Sequence, residues 1–290
     1  MTAVDCIWPA ETTLGEAPYW CPAEKAMYWV DIDGKAILRL DVETGAQSIV
    51  PQSSEVGCIA RRSNGGFVAG TNKGMMFLDR DLRATEIFSS PEEDKENTRF
   101  NDGKCDRAGR LWIGSTDVNE VSPDGALYRV NGPDEVDCVL PDVIVSNGLG
   151  WSPDDKTMYF TDSGKATIYA FDYDLASGGI ENQRVFARVD NQDGFPDGLT
   201  IDAEGYVWSA HWNGGRVTRY NPNGNIDRVV HMPVPLVTSV TFGGDDLDTL
   251  YVTSARLMMS DSELVEAPLS GGLFTVATDV TGLPETPFRG

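Results

Sequence analysis

The stretch "GFPDGLTIDAEGYVW", residues 194–208, carries a pattern that returns throughout the chain. A short apolar segment is followed by a polar turn and then by an aromatic-rich segment. The pair Asp197-Gly198 is typical of a tight turn, so this stretch alone predicts that Asp197 is a turn residue. A turn does not require the same kind of polar residue to recur at one position of a repeat. The other copies of the pattern therefore test that interpretation.

The pattern occurs six times in the 290 residues. Each copy has a short apolar strand, a polar turn, an aromatic-rich strand such as "MYWV" or "LWIG", a second turn and a third strand. The aligned first residues of the copies are Glu16, Gly57, Asn101, Asn147, Asp197 and Thr238. The repeat is therefore 41 to 50 residues long, which is typical of a propeller blade. We predict an all-β fold, a six-bladed β-propeller with four-stranded blades around a central channel. A β-helix has a much shorter period, and a pair of β-sandwiches would not repeat six times.

The two ends of the chain are expected to meet in the last blade. Its third strand, "GLFTVAT" at residues 272–278, follows a longer insertion than in the other copies. We expect "AVDCIW", residues 3–8, to supply an outer strand to this blade and so to close the ring. The apparent linkers are then loops between blades, and residues 1–290 form a single domain. The residues expected to fill the blade cores are Trp20, Trp29, Trp112, Trp151 and Trp208.

Composition narrows the range of partners and compartments. The chain has 23 Lys and Arg against 45 Asp and Glu, a net charge of −22, which argues against nucleic acid or an anionic membrane as a partner. No apolar run is long enough to cross a bilayer, and the N-terminus lacks the pattern of a signal peptide. We therefore expect a cytoplasmic protein with no membrane partner, and we expect it to be a monomer.

Cysteine and histidine usage excludes several kinds of site. The five cysteines are odd in number and form no C-x-x-C pair, so reduced, buried thiols are expected rather than disulfides or a zinc ribbon. The only histidines are His211 and His231, too few for a site built on several His ligands. We expect His211 to be a loop or core residue rather than a base. Sequence motifs for a serine nucleophile elbow, a P-loop or a zinc protease are absent.

The recurring position predicts a cation site on the propeller axis. The first strand of each blade lines the channel, and its first residue is expected at one mouth. Carboxylate and carboxamide oxygens from Glu16, Asn101, Asn147 and Asp197 would then point at one axis. Such oxygens suit Ca²⁺, Mg²⁺, Mn²⁺ or Fe²⁺, and Zn²⁺ can also use them. Three protein ligands would leave positions open, as in catalytic sites. The alternative is that these side chains cap turns locally.

Several longer stretches resemble one known family. These are "LGEAPYW", "TRFNDGKCDRAGRLWIGST", "SNGLGWSPDDKTMYFTDS", "AFDYDLASG", "FPDGLTIDAEGYVW" and "NGGRVTRYNPNG". They are similar to the senescence marker protein/regucalcin/gluconolactonase family of six-bladed propellers, over nearly the whole chain. The resemblance implies one divalent cation (Fe²⁺, Zn²⁺, Mn²⁺ or Ca²⁺) held by Glu16, Asn147 and Asp197. It also implies hydrolysis of a sugar lactone, such as xylonolactone or gluconolactone, with Arg99 and Asn101 contacting the substrate.

One departure from the family pattern affects the substrate site. Some members place a substrate-contacting Glu where this chain has Val118, and the neighbouring polar residues are Asp117, Asn119 and Glu120. Which of these replaces the Glu is open from the sequence. The alternative for Arg99 is a surface residue paired with the acidic run "EEDKE" at residues 92–96.

The mechanism that these residues support is cation-assisted hydrolysis. The cation would polarise the lactone carbonyl, water would attack, and Asp197 would orient that water or accept its proton. Three other functions compete with this one. A Ca²⁺-binding regulatory propeller would use the same ligands without turnover. A protein-interaction scaffold would need no oxygen ligands on the axis, and a propeller that hydrolyses phosphoesters or aryl esters would have a similar site.

Overall fold

The computed structural model describes residues 3–290, which form six four-stranded antiparallel sheets. The first strand, β1 (Val4–Trp8), belongs to the last sheet. Blade 1 contains β2 (Gly15–Cys21), β3 (Ala26–Asp31), β4 (Ala36–Asp41) and β5 (Gln47–Pro51). Blade 2 contains β6 (Val56–Arg61), β7 (Phe67–Thr71), β8 (Gly74–Leu78) and β9 (Ala84–Ser89). Blade 3 contains β10 (Thr98–Cys105), β11 (Leu111–Asp117), β12 (Gly125–Gly132) and β13 (Glu135–Val143).

The second half of the ring has the same construction. Blade 4 contains β14 (Ser146–Trp151), β15 (Thr157–Asp162), β16 (Thr167–Asp174) and β17 (Gly179–Arg188). Blade 5 contains β18 (Phe195–Ile201), β19 (Val207–Trp212), β20 (Arg216–Tyr220) and β21 (Ile226–His231). Blade 6 contains β22 (Val237–Gly243), β23 (Thr249–Ser254), β24 (Leu273–Ala277) and β1. Each blade starts at its innermost strand, and β2, β6, β10, β14, β18 and β22 contact one another in a closed circle. The prediction of a six-bladed propeller is confirmed.

The N-terminal strand closes the ring as predicted. Strand β1 pairs antiparallel with β24, with Val4 opposite Val276 and Asp5 opposite Thr275. The insertion before β24 contains the one α-helix of residues 3–290, α1 (Asp261–Glu266), which begins with a Ser260/Glu263 capping box. Within this part of the chain no helix combines the length and apolarity that a membrane crossing needs.

Tryptophans fill the blades as the sequence predicted. Trp20, Trp29, Trp112, Trp151 and Trp208 are all buried. In blade 3 the indole N–H of Trp112 donates to Asp106 Oδ2 at 2.9 Å, and in blade 5 Trp208 donates to Asp202 Oδ2 at 2.9 Å. Both aspartates precede their Trp by the same spacing, in "DRAGRLW" and "DAEGYVW", so the repeat places a buried acceptor where the indole needs one.

The thiol prediction is only partly right. All five cysteines are free, and Cys21, Cys58 and Cys105 are buried. Cys6 is half-buried, and Cys138 is exposed. Cys138 lies on β13, the outermost strand of blade 3, most of whose side chains are exposed or only half-buried. His211 is buried, with Nδ1 2.9 Å from the Asp193 carbonyl oxygen, which confirms it as a core residue.

A β-bulge occurs at the same place in every innermost strand. The register shifts fall between Glu16 and Tyr19 in β2, between Pro196 and Leu199 in β18, and at the equivalent point of the other four blades. The aligned residues of the repeat lie at these bulges. We expected each to be the first residue of its strand; the structure places them second to fourth. The bulge is the reason, because it re-aims a side chain after pairing has begun.

The C-terminal residues lie across the opposite end of the channel. Gly282 bridges to Asp202 after β18, and Phe288, fully buried, bridges to Arg62 after β6. Between them Glu285 forms an ion pair with Lys104 at 2.8 Å. The channel is therefore covered at the end away from the bulges.

The closing strand should contribute to stability through Trp8. This side chain is buried and meets Trp29 of blade 1 edge to face, with ring centroids 4.9 Å apart. Trp8→Ala should lower the free energy of unfolding by about 3–5 kcal/mol, measured by urea denaturation. Asp5→Ala, on the same strand but exposed, should change it by less than about 0.5 kcal/mol. Equal effects would show that β1 does not pack onto the ring as described.

Candidate functional site

A cavity of about 540 Å³ opens where the innermost strands begin. It is lined by all five residues that the sequence predicted for the site: Glu16, Arg99, Asn101, Asn147 and Asp197. They come from four different blades and are separated by up to 181 positions in the chain, yet the bulges bring them to one mouth. Their assigned roles as metal ligands or substrate contacts stay predictions.

Two buried carboxyl groups, Glu16 and Asp197, lie at this mouth, close enough for the charge of Glu16 to affect the pKa of Asp197. Burial raises the pKa of Asp197 well above its ordinary value, and the negative charges of Glu16 and Asp102 raise it further. Burial and the charge of Asp102 also raise the pKa of Glu16, although the N–H of Ala17 donates to Glu16 Oε2 at 2.9 Å. Holding like charges together away from water is costly. Arg99 opposes the rise in the pKa of Glu16, but one guanidinium does not balance three buried carboxyl groups, so the site is suited to a further positive charge.

The donor set fits a hard divalent cation. Asp197 Oδ1 is buried and has no hydrogen-bond partner, which is rare for a buried carboxylate oxygen. Glu16 and Asn147 add further oxygens on the same cavity, and oxygen ligands suit Ca²⁺, Mn²⁺ and Fe²⁺. Residues 3–290 contain no group of three or more His, Cys, Asp or Glu side chains in metal-binding geometry. The three candidate ligands are two carboxylates and one amide.

Arg99 and the two asparagines form a continuous hydrogen-bonded network. Arg99 Nη1 donates to Asn101 Oδ1 at 2.5 Å. Asn101 Nδ2 donates to the Ser146 carbonyl at 2.7 Å and to Asn147 Oδ1 at 2.9 Å. In the described residues, the Arg99 side chain has no ion pair with the acidic run 92–96, so that alternative is wrong. The guanidinium instead faces the cavity.

Ser163 belongs to the same network and was missed by the sequence analysis. Asn147 Nδ2 donates to Ser163 Oγ at 2.8 Å, and Ser163 Oγ donates to the Pro196 carbonyl at 2.6 Å. Ser163 begins a 3₁₀ turn directly after β15, which runs antiparallel to β14. The end of β15 must therefore lie at the same mouth as Asn147 near the start of β14. That topology is the signal that could have identified it.

Asp102 is a third buried carboxylate that the sequence analysis did not single out. It follows Asn101 at the bulge, where blade 5 has Gly198. A Cβ atom at Gly198 would lie 2.0 Å from Ser239 Oγ, so the blade 5 position has no room for a side chain. Burial raises the pKa of Asp102 to about 7, and the nearby charge of Lys104 opposes this rise.

The loop after β11 shows which residues stand where the family pattern has a Glu. Asp117 turns into its own loop and accepts the N–H groups of Val121 at 2.9 Å and Ser122 at 2.8 Å. Val118, Asn119 and Glu120 line the cavity. Asn119 and Glu120 are therefore the polar residues available to a bound ligand. The remaining wall is largely apolar and includes Leu14, Val145, Phe195, Trp212, Leu257 and Met258.

Protein families with a similar sequence bear directly on this site. The family profile described as "SMP-30/Gluconolactonase/LRE-like region" matches residues 14–256, which include every candidate residue. The chain belongs to this family. The resemblance noted from the sequence motifs is confirmed.

The sequence similarity to individual members of the family extends over nearly the whole chain. The 6-deoxy-6-sulfogluconolactonase of Pseudomonas putida is 37% identical over 287 residues, covering 98% of this chain and 98% of the relative. Regucalcin of Sus scrofa is 36% identical over 295 residues, covering 99% and 98%. Among solved structures, the regucalcin of Agrobacterium tumefaciens, described as a calcium-binding protein, has a TM-score of 0.95 at 27% identity and covers 100% of this chain and 98% of its own.

The raised pKa of Asp197 predicts a pH-dependent cost to the metal-free fold. Because its folded pKa lies above its unfolded value, its contribution to stability is fully present below the unfolded pKa of about 3.9 and is lost as pH rises through the folded pKa. Asp197→Asn removes this titration. The melting temperature of the variant relative to the native protein, both free of metal, should therefore increase from about pH 4 to about pH 8.

An exposed aspartate provides the control. Hydrogen bonds from Asn182 and Arg184 lower the pKa of Asp172, so Asp172→Asn should show no such increase with pH. Thermal melts by circular dichroism in the presence of a chelator measure both differences. A pH-independent difference for Asp197→Asn would contradict the electrostatic description of the site.

Proposed function

We propose that this protein hydrolyses a sugar lactone to the aldonic acid with one divalent cation held by Glu16, Asn147 and Asp197. The observation that carries the proposal is the buried, unpartnered Asp197 Oδ1 in a cavity that also presents the Arg99 guanidinium. A monosaccharide lactone occupies the volume of several water molecules, each of which takes up about 30 Å³. The cavity therefore has room for one such lactone. The name of the Pseudomonas putida relative supports a lactone substrate.

The protein's own groups divide the work of binding and proton transfer. A divalent cation at this site would supply Lewis-acid polarisation of the lactone carbonyl. Arg99 offers several donors in a fixed plane, which suits the hydroxyl and carbonyl oxygens of a sugar lactone. Asn101 fixes the position of Arg99 Nη1 by accepting its hydrogen bond.

Asp197 is our choice for the group that orients the attacking water and accepts its proton. Burial and the charge of Glu16 raise its pKa and so increase its basicity. A bound cation would act in the opposite direction and lower that pKa. The cation would thereby favour the ionised carboxylate, which is the form that can accept the proton of the attacking water.

A Ca²⁺-binding regulatory propeller is the second candidate. The observation that favours it is the similarity to regucalcins, one of which is described as a calcium-binding protein. This function uses the same three ligands, so ligand geometry does not separate it from a lactonase. A measurement of lactone turnover distinguishes the two functions.

Hydrolysis by metal-stripped protein tests the proposal directly. Xylono-, glucono- and galactonolactone are assayed with each of Ca²⁺, Mn²⁺, Fe²⁺ and Zn²⁺ added back, and spontaneous opening is subtracted. We expect acceleration with at least one cation and a loss of at least about 100-fold in Asp197→Asn, in line with removal of a general base. Asp172→Asn, with the same chemical change at an exposed site, should retain full activity. Folded protein that binds metal but accelerates none of these lactones would favour the regulatory function.

The charge of the cavity predicts a preference for neutral lactones. A cation bound by Glu16 and Asp197 would offset their charges, which leaves Glu120 as the acidic lining residue outside the proposed ligand set. We expect kcat/KM for gluconolactone to exceed that for its 6-deoxy-6-sulfo analogue, because Glu120 would repel the sulfonate. Glu120→Gln should reduce the ratio of kcat/KM for gluconolactone to kcat/KM for the sulfo analogue by about 5- to 10-fold at low salt, since one repulsive charge is removed. A preference for the sulfonated lactone would contradict this interpretation of the cavity.

A further inference from the structure

We infer that Ser163 is a positioning residue that fixes the orientation of the Asn147 amide and thereby directs its oxygen to the cation site. This inference rests on the proposed metal site. It concerns the affinity for the cation, which can be measured without any lactone.

The direction of every hydrogen bond in the network is set by its two ends. At one end the guanidinium of Arg99 can only donate, so Asn101 must turn Oδ1 toward it. At the other end the Pro196 carbonyl can only accept, so the Ser163 hydroxyl must direct its proton there.

The hydrogen bonds fix the amide orientation of both asparagines between these ends. Asn101 uses both Nδ2 hydrogens, on the Ser146 carbonyl and on Asn147 Oδ1. Asn147 must then present Nδ2 to the lone pair of Ser163 Oγ, at 2.8 Å. The amide of Asn147 is held from both sides, and its Oδ1 keeps a second lone pair for a ligand.

This orientation matters because an asparagine amide has one useful face for a cation. Oxygen binds a divalent cation, whereas the NH₂ group presents positive hydrogens and repels it. Partners of metal ligands that fix orientation in this way typically change metal affinity by about 10- to 100-fold when removed. Ser163 also joins blade 4 to the residue preceding Asp197, so the same hydroxyl ties two of the three ligands together.

The test measures equilibrium binding of the metal alone. Native protein and variants are stripped, and Ca²⁺, Mn²⁺ and Zn²⁺ are titrated by calorimetry, using the cation that native protein binds most tightly. Ser163→Ala should raise Kd by about 10-fold or more, and Ser163→Thr, which keeps the hydroxyl, should stay within about 3-fold of native. Thermal melts check folding, and Ser163→Cys, with a weak acceptor, serves if the alanine variant does not fold.

A second background distinguishes positioning from a general structural role. In Asn147→Asp both side-chain oxygens can bind a cation, so neither orientation is wrong. Ser163→Ala made in this background should therefore change Kd by less than about 3-fold. An equal loss in both backgrounds, no loss in the native background, or native protein that binds none of the three cations would overturn the inference. Lactone assays on the same proteins report separately on the proposed reaction.

Discussion

The bulge in each innermost strand is the constraint on which the rest of the site depends. Without it, a strand that lines the channel would alternate its side chains and point every second one toward the axis at a fixed level. The bulge adds a residue at one mouth, so a polar side chain can turn to the axis while pairing continues below. Six blades repeat this device, and four of them carry a carboxylate or carboxamide side chain at that position: Glu16, Asn101, Asn147 and Asp197.

The site combines unfavourable and favourable electrostatics in neighbouring residues. Glu16, Asp102 and Asp197 are buried, and the charges of Asp102 and Glu16 raise the pKa of Asp197, which costs folding free energy. Beside them, Arg99, Asn101, Asn147 and Ser163 are joined along one directed network. The network holds the site in place, and the crowded carboxylates give it affinity for a positive charge. The tryptophan-filled blades beneath supply stability that offsets this cost.

Much of the fold could be predicted from sequence because each blade is encoded by one continuous segment, and the segments repeat along the chain. The 41- to 50-residue period indicated the blade number, and the apolar "AVDCIW" at one end matched the missing strand of the last blade. The register of the repeat also placed the polar side chains of Glu16 and Asp197 at one mouth. Ser163 and Asp102 could not be found this way. Both residues affect the site through interactions with other blades, and the repeat pattern alone does not give the distances between side chains of different blades.

Binding of one divalent cation by Glu16, Asn147 and Asp197 at the channel mouth is the property on which the proposed chemistry depends. The most direct measurement is anomalous diffraction from crystals of the protein soaked in Mn²⁺. We expect a single strong peak within about 2.6 Å of oxygens from all three side chains. A lactone-hydrolysing protein whose Mn²⁺ peak lies elsewhere, or that shows no peak at this mouth, would contradict that assignment.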